Sequence, residues 1–174
     1  SNEDIQKLAE ICRKTYKEKK DINHEDCTSK DGGFEGLRFI NQHNTYIHKK
    51  LDEFFSNKEI DLFLNNILGE NYKIWTINYR IAAQNDRGLS LHQDSYGETN
   101  LSILLEDNLI GRGSTNFIPG SHLINTSLKI KIPLIFNKLI KPFYKILTGK
   151  RGQVSLFFNK TWHGRVSNNS KKNY

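Results

Sequence analysis

Between residues 3 and 20, Ile5, Leu8, Ala9, Cys12 and Tyr16 recur three or four positions apart among charged neighbours. That spacing predicts an amphipathic helix with one buried stripe. Asp21 to Gly36 is polar, ends Asp31-Gly32-Gly33 and reads as a loop. Helical spacing returns over His43–Phe55, through Tyr46, Ile47, Leu51, Phe54 and Phe55. It returns again over Lys58–Leu68, through Ile60, Phe63, Leu64 and Ile67, where Gly69 supplies a stop. The period then changes. Tyr72–Ala82 alternates β-branched and aromatic residues with polar ones, as a half-buried strand does. Leu89–His92, Asn100–Leu105, Ser114–Ile118 and Gln153–Phe158 are further short runs of strand formers, separated by Gly, Asn, Asp and Pro. Helices first and strands after predict a mainly β chain with N-terminal helices, an α+β arrangement around an antiparallel core.

One segment breaks this order. Residues 128–147 are apolar and basic without a single acid. Pro133 and Pro142 forbid one continuous helix there, which predicts two short helices or a structured loop between strands. Such a segment suits a lid over an anionic substrate, a lipid-facing surface, or a helical excursion packed on the sheet with its lysines in water.

A length of 174 residues fits one domain with its own core. The expectation is a single domain over 1–174, helical over 1–70 and β over 71–174, with the basic insert at 128–147. With 36% hydrophobic and 26% charged residues the composition is globular. No apolar run is long enough for a transmembrane segment, and no signal-type segment opens the sequence, so the expected location is cytoplasmic. Cys12 and Cys27 lack zinc-type spacing and are expected to be free thiols. Charge is unevenly spread: all 19 acidic residues lie at or before Asp107, whereas 12 of the 26 basic residues follow it. An anionic partner is therefore directed to the C-terminal part.

The chemistry concentrates at Leu91-His92-Gln93-Asp94. On extended backbone, residues two apart share a face, so His92 and Asp94 point the same way. A His-x-Asp pair needs a third ligand, and His163, in Thr161-Trp162-His163-Gly164 after a strand-like run, can return to meet it. Two histidines and one carboxylate occupy one face of an octahedral metal and leave the others open, the non-haem Fe(II) arrangement. Zinc would accept a similar set. His24, His43 and His48 have no partner at metal spacing and are expected at the surface.

Three matches in order carry a family resemblance. They are His92-Gln93-Asp94, the turn Phe117-Ile118-Pro119-Gly120-Ser121-His122, and Gly152-Gln153-Val154-Ser155-Leu156-Phe157-Phe158 leading into Trp162-His163-Gly164 and Asn168-Asn169-Ser170. Over roughly residues 72–174 the chain resembles the phytanoyl-CoA dioxygenase-like branch of the Fe(II)/2-oxoglutarate-dependent oxygenases. The resemblance implies a double-stranded β-helix, or jelly-roll (cupin-like) barrel, with Fe(II) held by His92, Asp94 and His163. It implies 2-oxoglutarate and O2 as co-substrates, hydroxylation of a small molecule, and succinate and CO2 as co-products. It places Gln93 near the co-substrate and His122 near the metal, while Asn78, two residues before Arg80 on the predicted strand, is expected to line the cavity with it. Trp162 is expected to hold His163 in place.

One family feature departs from the pattern. The Arg that binds the distal carboxylate of 2-oxoglutarate normally follows the second His by about 10–14 residues, and no arginine stands in that window here. The expectation is that the natural chain continues past Tyr174, with Arg80 and Arg165 as substitutes. The basic C-terminal part suits a substrate bearing phosphate, carboxylate or a coenzyme A thioester. A different class of reading is a catalytically inactive barrel whose basic part binds nucleic acid, an acidic glycan or a membrane surface. Against nucleic acid, aromatic and basic residues do not interleave as single-strand binders require. A metal-dependent isomerase or hydrolase on a cupin-like barrel is the third. Substrate identity and oligomeric state are not legible.

Overall fold

The computed structural model describes residues 1–28, 35–94, 97–123, 139 and 141–173. It divides into two compact units, Lys7–Arg80 and Ser1–Gln6 with Ile81–Tyr174.

The first unit carries most of α1 (Asn2–Asp21), then β1 (Cys27–Thr28), β2 (Glu35–Leu37), α2 (Ile40–His43), α3 (Thr45–Phe55) and α4 (Lys58–Leu68). Acids in the first turn of α1 and lysines in its last complement the helix dipole. The α3 and α4 starts are set by asparagines. The Asn44 side chain accepts from the Tyr46 and Ile47 amides, and Asn57 does the same for Glu59 and Ile60. Ala9, Cys12, Tyr16, Leu37, Ile40, Ile47, Leu51 and Leu64 form the buried core. A three-stranded sheet runs β1-β2-β3, with β3 at Tyr79–Ile81. A Cβ on Gly36 would stand 2.0 Å from the Tyr79 carbonyl oxygen, so the close approach of β2 to β3 requires glycine.

Two expectations change here. The predicted loop 21–36 contains β1 and the start of β2, which pair antiparallel as Cys27 with Leu37 and Thr28 with Gly36. The predicted strand 72–82 shrinks to Tyr79–Ile81. Upstream, Trp75 is 87% exposed, and the Ile77 carbonyl accepts from the Ile40 amide at the start of α2. Strand-forming residues describe a surface that suits a sheet, but a strand also needs a partner backbone.

The second unit holds β4 (Leu89–His92), β5 (Thr99–Ile103), β6 (Thr115–Phe117), β7 (Lys145–Ile146), β8 (Val154–Phe158) and β9 (His163–Arg165). Four strands form an antiparallel sheet in the order β4-β9-β6-β7, while β5 and β8 pair over five residues. The result is a mixed chain of helices and antiparallel sheets, as the patterning predicts. Of the basic segment 128–147, residues 128–138 and 140 lie outside the described residues. In the described remainder Leu139 is helical, Lys141–Phe143 form one 3-10 turn, and Lys145–Ile146 join the sheet opposite Asn116 and Phe117. Among the described residues no helix is long and apolar enough to cross a membrane.

Both cysteines are free thiols. Burial pushes the Cys12 thiol up to about 12, against a small opposing pull from Arg13. Burial, reinforced by Asp26, also raises Cys27, which is less enclosed. At pH 8 a thiol of pKa near 12 presents on the order of 10³-fold less thiolate than an ordinary one. A thiol-disulfide reagent is therefore expected to label Cys27 well before Cys12 in the native protein, and both at once in denaturant. Equal native rates, resolved by peptide mapping, would contradict this burial.

Candidate metal centre

The register of two strands builds the site. His92, the last residue of β4, lies directly opposite His163, the first of β9. Asp94 follows two residues on, and its backbone amide donates to the Asn159 carbonyl at 3.0 Å. The approach of β9 to β4 depends on Gly164, where a Cβ would meet the Leu89 carbonyl oxygen at 2.6 Å.

The hydrogen bonds of the two imidazoles determine their tautomers. His92 Nδ1 lies 2.8 Å from the Ser90 carbonyl oxygen, and His163 Nδ1 lies 2.8 Å from that of Thr161. A carbonyl only accepts, so both Nδ1 atoms carry the proton and both Nε2 atoms present a lone pair. These converge on Asp94: His92 Nε2 is 3.5 Å from Oδ1, and His163 Nε2 is 3.3 Å from Oδ2. Both separations exceed the roughly 2.7–3.2 Å of an N–H···O hydrogen bond. They lie close to the ~3.0–3.4 Å between neighbouring ligands that each stand about 2.1 Å from one ion. Three potential ligand atoms, one from each residue, thus lie within 4.8 Å of one another.

Burial favours the neutral form of His163. His163 has its pKa lowered, chiefly by burial with nearby His92 adding to it, while the Thr161 carbonyl and Asp94 act the other way. The ring therefore stays neutral at neutral pH. The Asp94 side chain is 44% exposed against 9% for His163, so the site opens on the carboxylate side. Phe157 covers His163 with ring centroids 5.1 Å apart.

Supports around the triad were not legible in the sequence. Ser121 Oγ accepts from the Trp162 amide at 2.9 Å and donates to the Ile118 carbonyl at 2.7 Å. Ile118 N also donates to the Trp162 carbonyl. The Pro-Gly-Ser-His turn is thereby fastened to the residue preceding His163, which is the physical content of that motif. Asn159, buried at the end of β8, is a second support. Its amide nitrogen donates to Glu98 Oε2, its side-chain oxygen accepts from Asn100, and its backbone holds the Asp94 amide. No local pattern marks an asparagine whose partners lie some sixty positions away.

The remaining expected site residues fall as follows. Gln93 donates from Nε2 to the Lys160 carbonyl at 2.6 Å, so its amide group engages the turn before β9. His122, in the 3-10 turn Ser121–Leu123, packs against Phe158 with centroids 5.6 Å apart. Arg165 shares the His163 face of β9, and its guanidinium is paired with Asp86. Asn78 and Arg80 belong to the first unit; Asn78 Oδ1 accepts from the Phe39 amide and the Thr76 hydroxyl, and Arg80 is exposed. The surface expectation for the N-terminal histidines needs correction. His48 is exposed beside Asp52, but His24 and His43 converge on Asp26.

No protein-family model and no curated protein sequence matches the chain. Solved structures do. EctD from S. alaskensis with bound Fe superposes with a TM-score of 0.78 at 17% identity, over 99% of this chain and 66% of that one. The Ni complex of the non-haem monooxygenase ThoJ gives 0.70 at 15% identity, over 99% and 66%. SnoK, a non-haem α-ketoglutarate-dependent carbocyclase from nogalamycin biosynthesis, gives 0.63 at 16% identity, over 86% and 61%. The chain shares their fold. It spans about three-fifths to two-thirds of their length.

Proposed function

We propose that this chain is the oxygenase domain of an Fe(II)- and 2-oxoglutarate-dependent hydroxylase of the phytanoyl-CoA dioxygenase-like branch, built on a jelly-roll barrel. The observation that carries it is the convergence of two imidazole nitrogens and one half-exposed carboxylate within 4.8 Å of one another. Solved structures of the same fold supply the context, among them EctD with bound Fe and EctD with 2-oxoglutarate and 5-hydroxyectoine.

His92, Asp94 and His163 are the residues that would hold Fe(II). The metal would supply the activation of O2, coupled to decarboxylation of 2-oxoglutarate to succinate and CO2 and to hydroxylation of the substrate. The chain's own part is to keep both Nε2 atoms bare through the Ser90 and Thr161 carbonyls. It also orients Asp94 through Asn159 and leaves the carboxylate side open to exogenous ligands. With the Arg165 guanidinium engaged by Asp86, that residue serves the co-substrate only if this pair opens. A small anionic or carrier-linked substrate fits the basic C-terminal part.

Adding 2-oxoglutarate anaerobically to the Fe(II)-loaded protein is expected to produce the visible charge-transfer band of a metal-bound keto acid, and admitting O2 is expected to release succinate. Metal binding without a band or succinate would turn the reading toward a metal-dependent isomerase or hydrolase. No metal binding at all would remove the catalytic reading.

A further inference from the structure

Outside the first centre, His24 and His43 converge on Asp26. Three segments of the first unit meet there. His24 closes the turn after α1, where its amide donates to the Lys19 carbonyl; Asp26 immediately precedes β1; and His43 ends α2. Backbone bonds hold the frame: Cys27 N donates to the His24 carbonyl and Arg38 N to the Asp26 carbonyl, each at 2.9 Å. One potential ligand atom from each of His24, Asp26 and His43 lies within 4.8 Å of the others.

Protons again decide what the cluster can do. The Asp26 backbone N–H, which can only donate, points at His24 Nδ1 from 3.2 Å. That nitrogen therefore carries a lone pair, and the ring proton sits on Nε2. That lone pair takes up the amide proton, and Nδ1 also lies 3.7 Å from Asp26 Oδ2, beyond hydrogen-bond range. His43 Nε2 approaches the same oxygen at 2.8 Å and donates its proton to it. One carboxylate oxygen thus collects two imidazoles, one through a proton and one across a gap between two acceptors. A cation held by all three residues would displace the Asp26 amide from His24 Nδ1 and the proton from His43 Nε2. The two rings meet nearly at right angles, 79°, with centroids 4.7 Å apart. Asp26 and His24 remain about one-quarter exposed, leaving a path for a hydrated ion.

We propose that His24, Asp26 and His43 form a second metal site, for a divalent cation of the zinc class, on residues the first centre does not use. Two imidazoles, one carboxylate and a water complete the four-coordinate shell that zinc prefers. The ion takes the place of the proton between His43 Nε2 and Asp26. In the neutral ring this proton moves to Nδ1; from a doubly protonated ring it is released to solvent, so binding weakens in acid. The bound ion ties the end of α1 to α2 and stabilises the first unit by mass action.

Equilibrium dialysis of the full chain against Zn2+, with bound metal counted, tests this. The wild type is expected to hold one more Zn2+ per chain than the Asp26→Ala/His43→Ala variant, whether or not the His92 centre is filled. The His92→Ala/His163→Ala variant should retain one Zn2+, and Zn2+ should raise the melting temperature of that variant. Because the 2-oxoglutarate band reads only the His92 centre, failure of the functional proposal and failure of this one are told apart. Should Asp26→Ala/His43→Ala fail to fold by circular dichroism in chelator, His24→Ala takes its place, with an expected loss of affinity of at least tenfold. Equal Zn2+ content and affinity in the wild type and the folded variant would overturn the proposal and leave a hydrogen-bonded histidine-aspartate pair.

Discussion

Asp94→Ala is expected to abolish 2-oxoglutarate-dependent succinate formation and the chelate band while leaving the metal-free fold intact. Asp94 supplies the only negative charge of the triad, and it faces the Nε2 atoms of two imidazoles whose Nδ1 atoms lie against backbone carbonyls. Without it a dication loses one of three ligands and the charge compensation together. The loss in Fe(II) affinity should exceed the roughly 10–100-fold that removing an outer hydrogen-bonding partner costs. Stability should respond little, because the carboxylate is 44% exposed. Titration with Fe(II) and thermal melts in chelator check both halves. An Asp94→Ala protein that still couples 2-oxoglutarate to succinate would remove Asp94 from the ligand set. Asn159→Ala provides the graded comparison: it frees the backbone that holds Asp94 without touching a ligand, so affinity should fall by about the outer-partner factor.

The largest effect on stability is expected at Asn168. This side chain is fully buried. Its amide nitrogen donates to the Ala82, Ala83 and Lys172 carbonyls, and its oxygen accepts from Ser170 N and Oγ. One residue thereby pins the chain after β3 to the chain after β9, and the Asn-x-Ser pattern near the C-terminus acquires a physical meaning. Alanine would strand several backbone groups at about 1 kcal/mol or more each, for a total of about 3–5 kcal/mol. For a chain of this size that corresponds to a fall in melting temperature of about 10 °C. The exposed neighbour Asn169 is the control, with an expected change within about 0.5 kcal/mol for Asn169→Ala. A melt of Asn168→Ala within about 2 °C of the wild type would show that water or local refolding replaces this hub.

The sequence by itself determined α1, α3 and α4, because each states its own period and Gly69 ends the last, whereas α2, which starts at Phe39 without a side-chain cap, was not legible. It also determined the pairing of His92 with Asp94, since two residues on extended backbone share a face whatever surrounds them. His163 was legible as a third donor only through its motif. Its position opposite His92 belongs to a strand register, and register is a relation between distant segments that no single stretch encodes. The same reason accounts for the strand that was too long at Tyr72–Ala82 and for β1 inside an apparent loop, where partner backbones decided the outcome. It accounts for Asn159, which meets Asp94 only once β8 and the residues after β4 lie side by side. It accounts above all for His24 and His43. Asp26 and His43 stand seventeen positions apart along the chain, and the pairing of β1 with β2 ahead of α2 brings the ring back to the carboxylate. Local chemistry is written in neighbours, whereas convergence is written in the fold: ligand spacing along a chain reveals a site only when the backbone between its residues is straight.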